Sequence, residues 1–410
     1  MANLAVLGGP KQITRALGGK WPVWDEREER ALLETLHSGV WWRGGADPAA
    51  SQVARFEDEF LKFQGGKYCV CVTNGTQAIE CALKALGIGP GADVLVPALT
   101  FVASGTAIAL VGATPVFVDV DPETYNLSPA AMEAAITPRT RAVVLVHNGG
   151  YPADLDRILE IARRRGLRVV EDCAHAHGSQ WRGEGVGHLG DFGTFSFQMG
   201  KTLTAGEGGC VTTDDPKLAE LAYTYHHIGR VPGRPFYEFH RLASNLRMTE
   251  WQGAILRAQL ERLPEQTRVR EQNATYLAAG LREVPGVDPI QRDARVTRWG
   301  FYYWNLHYRA EALGGVSRQA FIKAAQAEGV PLGAGAHGGC IYKNPVFQTG
   351  DGGMPAYTHV VCPVAERVST QQALSIPHRT FLGSPADMDL ILAAFRKLAA
   401  NLDELRQVTA

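Results

Sequence analysis

Between residues 68 and 213, short β-branched runs alternate with helical patterns, and few architectures accept that order. Tyr68-Cys-Val-Cys-Val-Thr73 reads as a buried strand. Asn74-Gly75-Thr76 then opens a helix whose apolar positions Ile79, Ala82, Leu83 and Leu86 recur every three or four residues, with Gly87 as its cap. Further strands are predicted over Asp93–Pro97, Thr114–Asp119, Arg141–His147 and Leu167–Asp172, and helices over Pro129–Ile136 and Asp154–Arg165. Near-continuous apolar strands joined by crossover helices predict an α/β fold, a mostly parallel sheet with helices on both faces.

After Gly209 the pattern changes. Residues 214–285 read as mostly helical, with a long helix over Thr249–Leu281. Gly286–Asp293 carries turn signals, Trp299–Arg309 is aromatic and strand-like, and helices follow at Ser317–Gly329 and Pro385–Leu402. The expected division is 1–285, an N-terminal segment with a large domain, and 286–410, a smaller C-terminal α/β domain.

Charge is balanced, with 41 Lys plus Arg against 42 Asp plus Glu, which argues against electrostatically driven nucleic-acid binding. No apolar run approaches the ~20 residues that span a bilayer, and the N-terminus lacks a secretory pattern. The seven Cys show no CxxC pair, so buried reduced thiols and a cytoplasmic location are expected. No HExxH or Cys/His cluster with metal spacing occurs, and no metal is expected. On a strand, His175 and His177 would share one face.

The most informative stretch runs from Phe195 to Gly209, Phe195-Ser-Phe-Gln-Met-Gly-Lys201-Thr-Leu-Thr-Ala-Gly-Glu-Gly-Gly209. A lone lysine is ordinarily a solvated surface residue. Lys201 instead follows an apolar segment and precedes Gly206, Gly208 and Gly209, which permit close approach of another group. A lysine held there can have a lowered pKa and form a Schiff base with a carbonyl. Asp172 ends a predicted buried strand, the edge at which open α/β sheets bind ligands. A carboxylate there can keep a pyridine nitrogen protonated, as a pyridoxal 5′-phosphate electron sink requires; its plainer reading is a cap. Asn74-Gly75-Thr76 forms a strand-to-helix junction with free N–H groups, an anion site that many such junctions share. Together the three supply an imine-forming amine, a pyridinium partner and a phosphate site.

These residues, with Pro97-Ala-Leu-Thr-Phe-Val102, Glu171-Asp-Cys-Ala-His-Ala-His-Gly178, Ser196-Phe-Gln198 and Asn245-Leu-Arg-Met-Thr-Glu250, resemble the DegT/DnrJ/EryC1/StrS sugar aminotransferases over nearly the whole chain. The resemblance implies a fold-type I pyridoxal-phosphate enzyme. It implies that Lys201 carries the cofactor as a Schiff base and Asp172 holds the pyridine nitrogen. It further implies that Gly75, Thr76 and Ser196 bind the phosphate and Phe101 stacks on the ring. His175 stands where many relatives have Gln, near the cofactor's phenolic oxygen; His177 is expected to pack locally. Asn245 matches an Asn that reaches the neighbour's phosphate across a homodimer. Ala336-His337-Gly-Gly-Cys-Ile-Tyr342 departs from the family's loop, which puts substrate contacts from it in doubt.

The implied activity is transfer of an amino group from glutamine or glutamate to a ketone on a cyclitol (an inosose) or sugar in antibiotic biosynthesis. The alternative is a 3-amino-5-hydroxybenzoate synthase-like dehydratase using the same lysine. Gly39-Val-Trp-Trp-Arg-Gly44 and Phe197-Gln-Met-Gly-Lys201 resemble that branch, although Trp41 and Trp42 are also explained as core or dimer-interface packing. A non-catalytic cofactor-binding protein would lack one of these chemical groups, and none is missing. A P-loop is excluded because GxxxxGK[ST] does not occur.

Overall fold

A computed structural model describes residues 2–43 and 47–409; Gly44 of the Trp41-Trp42 motif lies outside the described residues. The central sheet has seven strands: β1 Tyr68–Val72, β2 Asp93–Pro97, β3 Thr114–Val118, β4 Thr140–Val146, β5 Arg168–Asp172, β6 Phe192–Ser196 and β7 Gly209–Thr213. Their spatial order is β1-β7-β6-β5-β4-β2-β3. The pairs β3/β2, β2/β4, β4/β5 and β5/β6 are parallel, and β7 alone runs against its two neighbours β6 and β1. Both faces are covered, which is why β2 and the last five residues of β4 are buried at every position.

Helices α1 Glu26–Ser38, α2 Gln52–Gln64, α3 Gly75–Ala85, α4 Val102–Leu110, α5 Pro129–Ala134, α6 Leu155–Arg165, α7 Pro216–His226 and α8 Glu250–Leu281 surround or flank this sheet. Local sequence sets their ends. Asp154 caps α6 by accepting from the Arg157 N–H, three arginines fill the last turn, and Gly166 closes it in the left-handed region at φ 66°. The helical pattern expected over 214–285 is interrupted. Residues 227–249 contain no helix, because Gly229 at φ 84° and the prolines at 232 and 235 break it.

A second sheet, β8 Val287–Pro289, β9 Tyr303–Tyr308 and β10 Ala373–Pro377, is antiparallel in that order. The turn expected over Gly286–Asp293 thus contains a strand, fixed by pairing Val287 with Tyr308. Helices α9 Arg318–Ala327 and α10 Pro385–Ala400 belong to this C-terminal part. Val296–Arg298 pairs back onto Gln180–Trp181, tying the loop before β9 to the segment after β5. Trp41 and Trp42 are not core residues: they are 51% and 44% exposed. All seven cysteines are buried and free. Among the described residues no helix is long and apolar enough to cross a membrane.

Glu171 anchors β5 from one side. Its buried carboxylate accepts from the N–H groups of Gly187 (2.9 Å), Leu189 (2.8 Å) and Gly190 (2.8 Å) and pairs with His147 Nε2 at 3.1 Å. Burial opposes the charge, but His147 and these amides outweigh it and hold the carboxyl below its usual range. Glu171→Ala strands the amides and should destabilise the chain by about 3–5 kcal/mol, measured by chemical denaturation. A loss below about 1 kcal/mol would show that the carboxylate is not an anchor.

Candidate active site

The parallel strands deliver their carboxyl ends to one cavity of about 700 Å³, where Val146, Asp172 and Ser196 line the wall. Gly75, Thr76, Phe101, His175 and Lys201 line the same cavity, although they are spread over more than 120 positions of sequence. Asn245 does not: it is exposed, and its Oδ1 accepts from the Arg247 N–H at 3.3 Å.

Asp172 is the last residue of β5. Its Oδ2 accepts from Ser104 Oγ (2.8 Å) and its Oδ1 from the Ala174 N–H (3.1 Å). Burial pushes its carboxyl up, against the opposing pull of Ser104, Ala174 and the Lys201 charge. Ser104 stands one turn after Thr100 on α4, the two hydroxyls 3.1 Å apart. Sequence reading missed Ser104; a hydroxyl inside the apolar run of α4 was the available signal.

Lys201 sits in a tight excursion between β6 and β7. Its N–H donates to the Gln198 carbonyl (2.8 Å), and the Met199 N–H to the Gly206 carbonyl (2.9 Å). Gly208, at φ 147°, closes the excursion where an L side chain would be strained. Burial lowers the Lys201 pKa to about 8, with Asp172 pulling the other way. Its Nζ lies 4.3 Å from the centroid of the Tyr302 ring.

Asn74 caps α3 by accepting from the Gln77 N–H at 2.9 Å, so the first-turn N–H groups open onto the cavity wall. A Cβ on Gly75 would lie 2.7 Å from the Ser196 Cβ, so only glycine lets this helix start so close to the end of β6.

His175 lies in the turn after β5 rather than on a strand, and His177 does not share its face. His177 is fully buried against Phe195 and Phe197, with Nδ1 3.3 Å from Thr202 Oγ1. His175 Nδ1 accepts from the Gly149 N–H at 3.4 Å, which leaves the ring proton on Nε2. Burial, helped by the Lys201 charge, holds its pKa well below the usual value, so the imidazole is neutral. Its ring stacks on Tyr302 (centroids 4.2 Å, 17°) and on His337 (5.1 Å, 26°).

The 336–342 loop therefore does reach the cavity. His337 adopts φ 47°, lines the wall and meets Phe101 edge-on at 5.8 Å. Tyr302 and His337 carry no spacing signal that ties them to Lys201; only the fold brings them there.

A buried amine, a buried carboxylate and a helix start thus meet in one cavity at the carboxyl edge of a parallel sheet. Residues 22–396 match the model of the DegT/DnrJ/EryC1/StrS aminotransferase family. The chain belongs to this family. It is a pyridoxal-phosphate-dependent aminotransferase of the α/β fold expected above. It is similar to a 3-amino-5-hydroxybenzoate synthase of Amycolatopsis mediterranei (strain S699), 39% identical over 376 residues, covering 90% of this chain and 94% of that one. It is also similar to an L-glutamine:2-deoxy-scyllo-inosose aminotransferase of Micromonospora echinospora, 38% identical over 428 residues, covering 99% of this chain and 100% of the relative. The crystal structure of a 3-amino-5-hydroxybenzoic acid synthase superposes with a TM-score of 0.85 at 36% identity, over 95% of this chain and 100% of that one.

The lowered Lys201 pKa is directly measurable. In cofactor-free protein, acylation of Lys201 followed by mass spectrometry should titrate near pH 8 rather than near the ~10.4 of an ordinary lysine. Because the Asp172 charge raises this pKa, Asp172→Asn should move the midpoint lower still. An upward shift would contradict the assignment of that charge.

Proposed function

We propose that this aminotransferase moves an amino group from glutamine or glutamate to a ketone on a cyclitol or sugar, an inosose being the preferred acceptor class. The observation that carries the reading is the buried Lys201 amine, lowered to about pKa 8, in one cavity with Asp172 and the start of α3. Asn74, Thr100, Gln198 and His337 add amide, hydroxyl and imidazole groups suited to a neutral polyhydroxylated acceptor. Similarity to a glutamine-dependent inosose aminotransferase supports the donor and the acceptor class.

The cavity fits pyridoxal phosphate on the chain's own geometry. The glycine start of α3 against Ser196 leaves N–H donors and hydroxyls for a phosphate, and Asp172 is a buried carboxylate with no arginine or lysine hydrogen-bonded to it among the described residues. When bound, the group supplies an aldehyde that captures amines and a ring that serves as an electron sink. Gly75, Thr76 and Ser196 hold its phosphate in this reading, and Phe101 packs on its ring. Asp172 would keep a proton on the ring nitrogen, and neutral His175 would offer its Nε2–H to the ring oxygen. Lys201 would be the amine that holds the aldehyde carbon, and its amine would also stand as the base for a proton at the donor's Cα. Its pKa near neutrality suits both taking the proton and returning it.

We further infer a cytoplasmic homodimer with shared sites. Seven reduced, buried thiols fit a reducing compartment. Asn245 lies outside its own cavity, on a segment whose Tyr237 and Leu242 are 82% and 99% exposed, as a residue reaching a neighbour's phosphate would be.

A second reading, aromatising dehydration of an amino-substrate, is favoured by the similarity to 3-amino-5-hydroxybenzoate synthases in both sequence and structure. Glutamine separates the two. The purified yellow protein should bleach with glutamine alone, and an inosose should restore the colour. An unchanged spectrum with glutamine and glutamate, together with an aromatic product from an aminoshikimate, replaces the first reading by the second.

Borohydride reduction should fix the pyridoxyl group on Lys201, and Lys201→Ala should lower the transamination rate by about 10²–10⁴-fold. Label on another lysine would overturn the assignment. Shared sites are tested by mixing two inactive variants, Lys201→Ala and Asn245→Ala. Subunit exchange then creates one site with both lesions and one with neither, so activity should partly return. No return after verified exchange would place Asn245 outside the partner's site.

A further inference from the structure

Arg270, two-thirds of the way along α8, is fully buried, and among the described residues no carboxylate lies within ion-pair distance of it. Its Nε and Nη1 have no acceptor among the described residues. Holding an unpaired guanidinium away from water is costly, so the contacts it does make call for an explanation. Nη2 lies 3.4 Å from Gln266 Oε1 and 3.4 Å from His378 Nδ1.

A guanidinium only donates. His378 Nδ1 must therefore accept, and the ring proton resides on Nε2, which donates to the Gly200 carbonyl at 3.1 Å. Burial and the Arg270 charge together hold the His378 pKa well below its usual value, so this tautomer persists at neutral pH. The preceding carbonyl, that of Met199, accepts from Trp21 Nε1 at 2.8 Å. Trp21 in turn packs edge-on against His378 (4.5 Å) and lies under the Arg270 guanidinium (5.7 Å). The two carbonyls before Lys201 are thus pinned from outside their own loop. His378 also holds the platform beneath the Lys201 amine, because its backbone N–H donates to the Tyr302 carbonyl at 3.2 Å.

We propose that Arg270, His378 and Trp21 form a positioning relay that fixes the Gly200 peptide and, with Tyr302, sets where the Lys201 amine stands. The relay rests on the reading of Lys201 as the cofactor-binding lysine. It joins three distant parts of the chain: the N-terminal segment, the long helix and the end of β10. The loop it restrains contains Gly200, Gly206 and Gly208, and its own hydrogen bonds leave the Met199 and Gly200 carbonyls to partners outside it. None of the three relay residues touches the reacting atoms; they act through the Met199 and Gly200 carbonyls and through Tyr302.

The test uses the full-length protein stripped of cofactor and then given pyridoxal phosphate. The readouts are the rate at which the visible band returns, its induced circular dichroism and the thermal midpoint. His378→Phe, which keeps the ring shape but neither nitrogen, and Arg270→Met should each slow the return about tenfold, the scale of one lost hydrogen bond to a charged group. Both should weaken the dichroic band at equal cofactor content. His378→Gln, whose amide offers one acceptor and one donor, should recover most of both signals. The double variant should be no slower than the worse single one. Trp21→Phe, a change near the surface, should show a smaller loss in the same direction and guards against a failure of the buried variants to fold. Wild-type rates and dichroism in His378→Phe, or in Trp21→Phe if the buried variants do not fold, overturn the relay, whatever happens to the thermal midpoint. Borohydride mapping keeps the two ideas apart: label on another lysine overturns the reading of Lys201, whereas label on Lys201 with unchanged rates overturns the relay alone.

Discussion

Burial of a carboxylate and an amine in the same cavity is the constraint on which this structure depends. Removal from water pushes the Asp172 carboxyl up and the Lys201 amine down, and each charge partly offsets the shift of the other. Neither group would be tolerated there without support. Asp172 receives it from Ser104 and the Ala174 amide, and Lys201 from the face of the Tyr302 ring. The product is an amine poised near neutrality beside a carboxylate, from a chain whose overall charge is only −1.

The parallel sheet makes this arrangement possible because its strands end together. Along β5 successive side chains point to opposite faces. Glu171 therefore turns to the glycine-rich turn at 187–190, while Asp172 turns to α4 and the cavity. One strand end thus anchors the fold and serves the site with adjacent residues. The reversed strand β7 matters equally. Its antiparallel pairing with β6 converts the intervening segment into a closed excursion, and that excursion carries Lys201 back over the strand ends.

The two sheets meet around the same lysine. Tyr302 enters from the start of β9, His337 from a loop with a left-handed residue, and His378 from the end of β10. Stacked rings of His337, His175 and Tyr302 form one wall of the cavity, with neutral imidazoles that do not add charge to a site already holding Lys201. A motion of the C-terminal part would therefore be felt at the Lys201 loop through a carbonyl contact rather than through a flexible tether.

The sequence by itself determined the alternating α/β order, the limits of the first five strands to within a residue, and, through the motifs that carry the family resemblance, the grouping of Gly75, Thr76, Asp172, His175, Ser196 and Lys201. Those features are local: apolar periodicity, caps and short motifs are written in neighbouring residues. Only the tertiary structure decided the interruption at 227–249, the exposure of Trp41 and Trp42, and the strand inside the expected turn at 286–293. It alone brought Ser104, Tyr302 and His337 to the cavity and placed Arg270 against His378. These contacts join residues as far apart as Phe101 and His337, and no periodicity or spacing records such a pairing. They exist because sheet order and loop closure fold the strand ends onto one point, and burial there selects which distant side chains must meet.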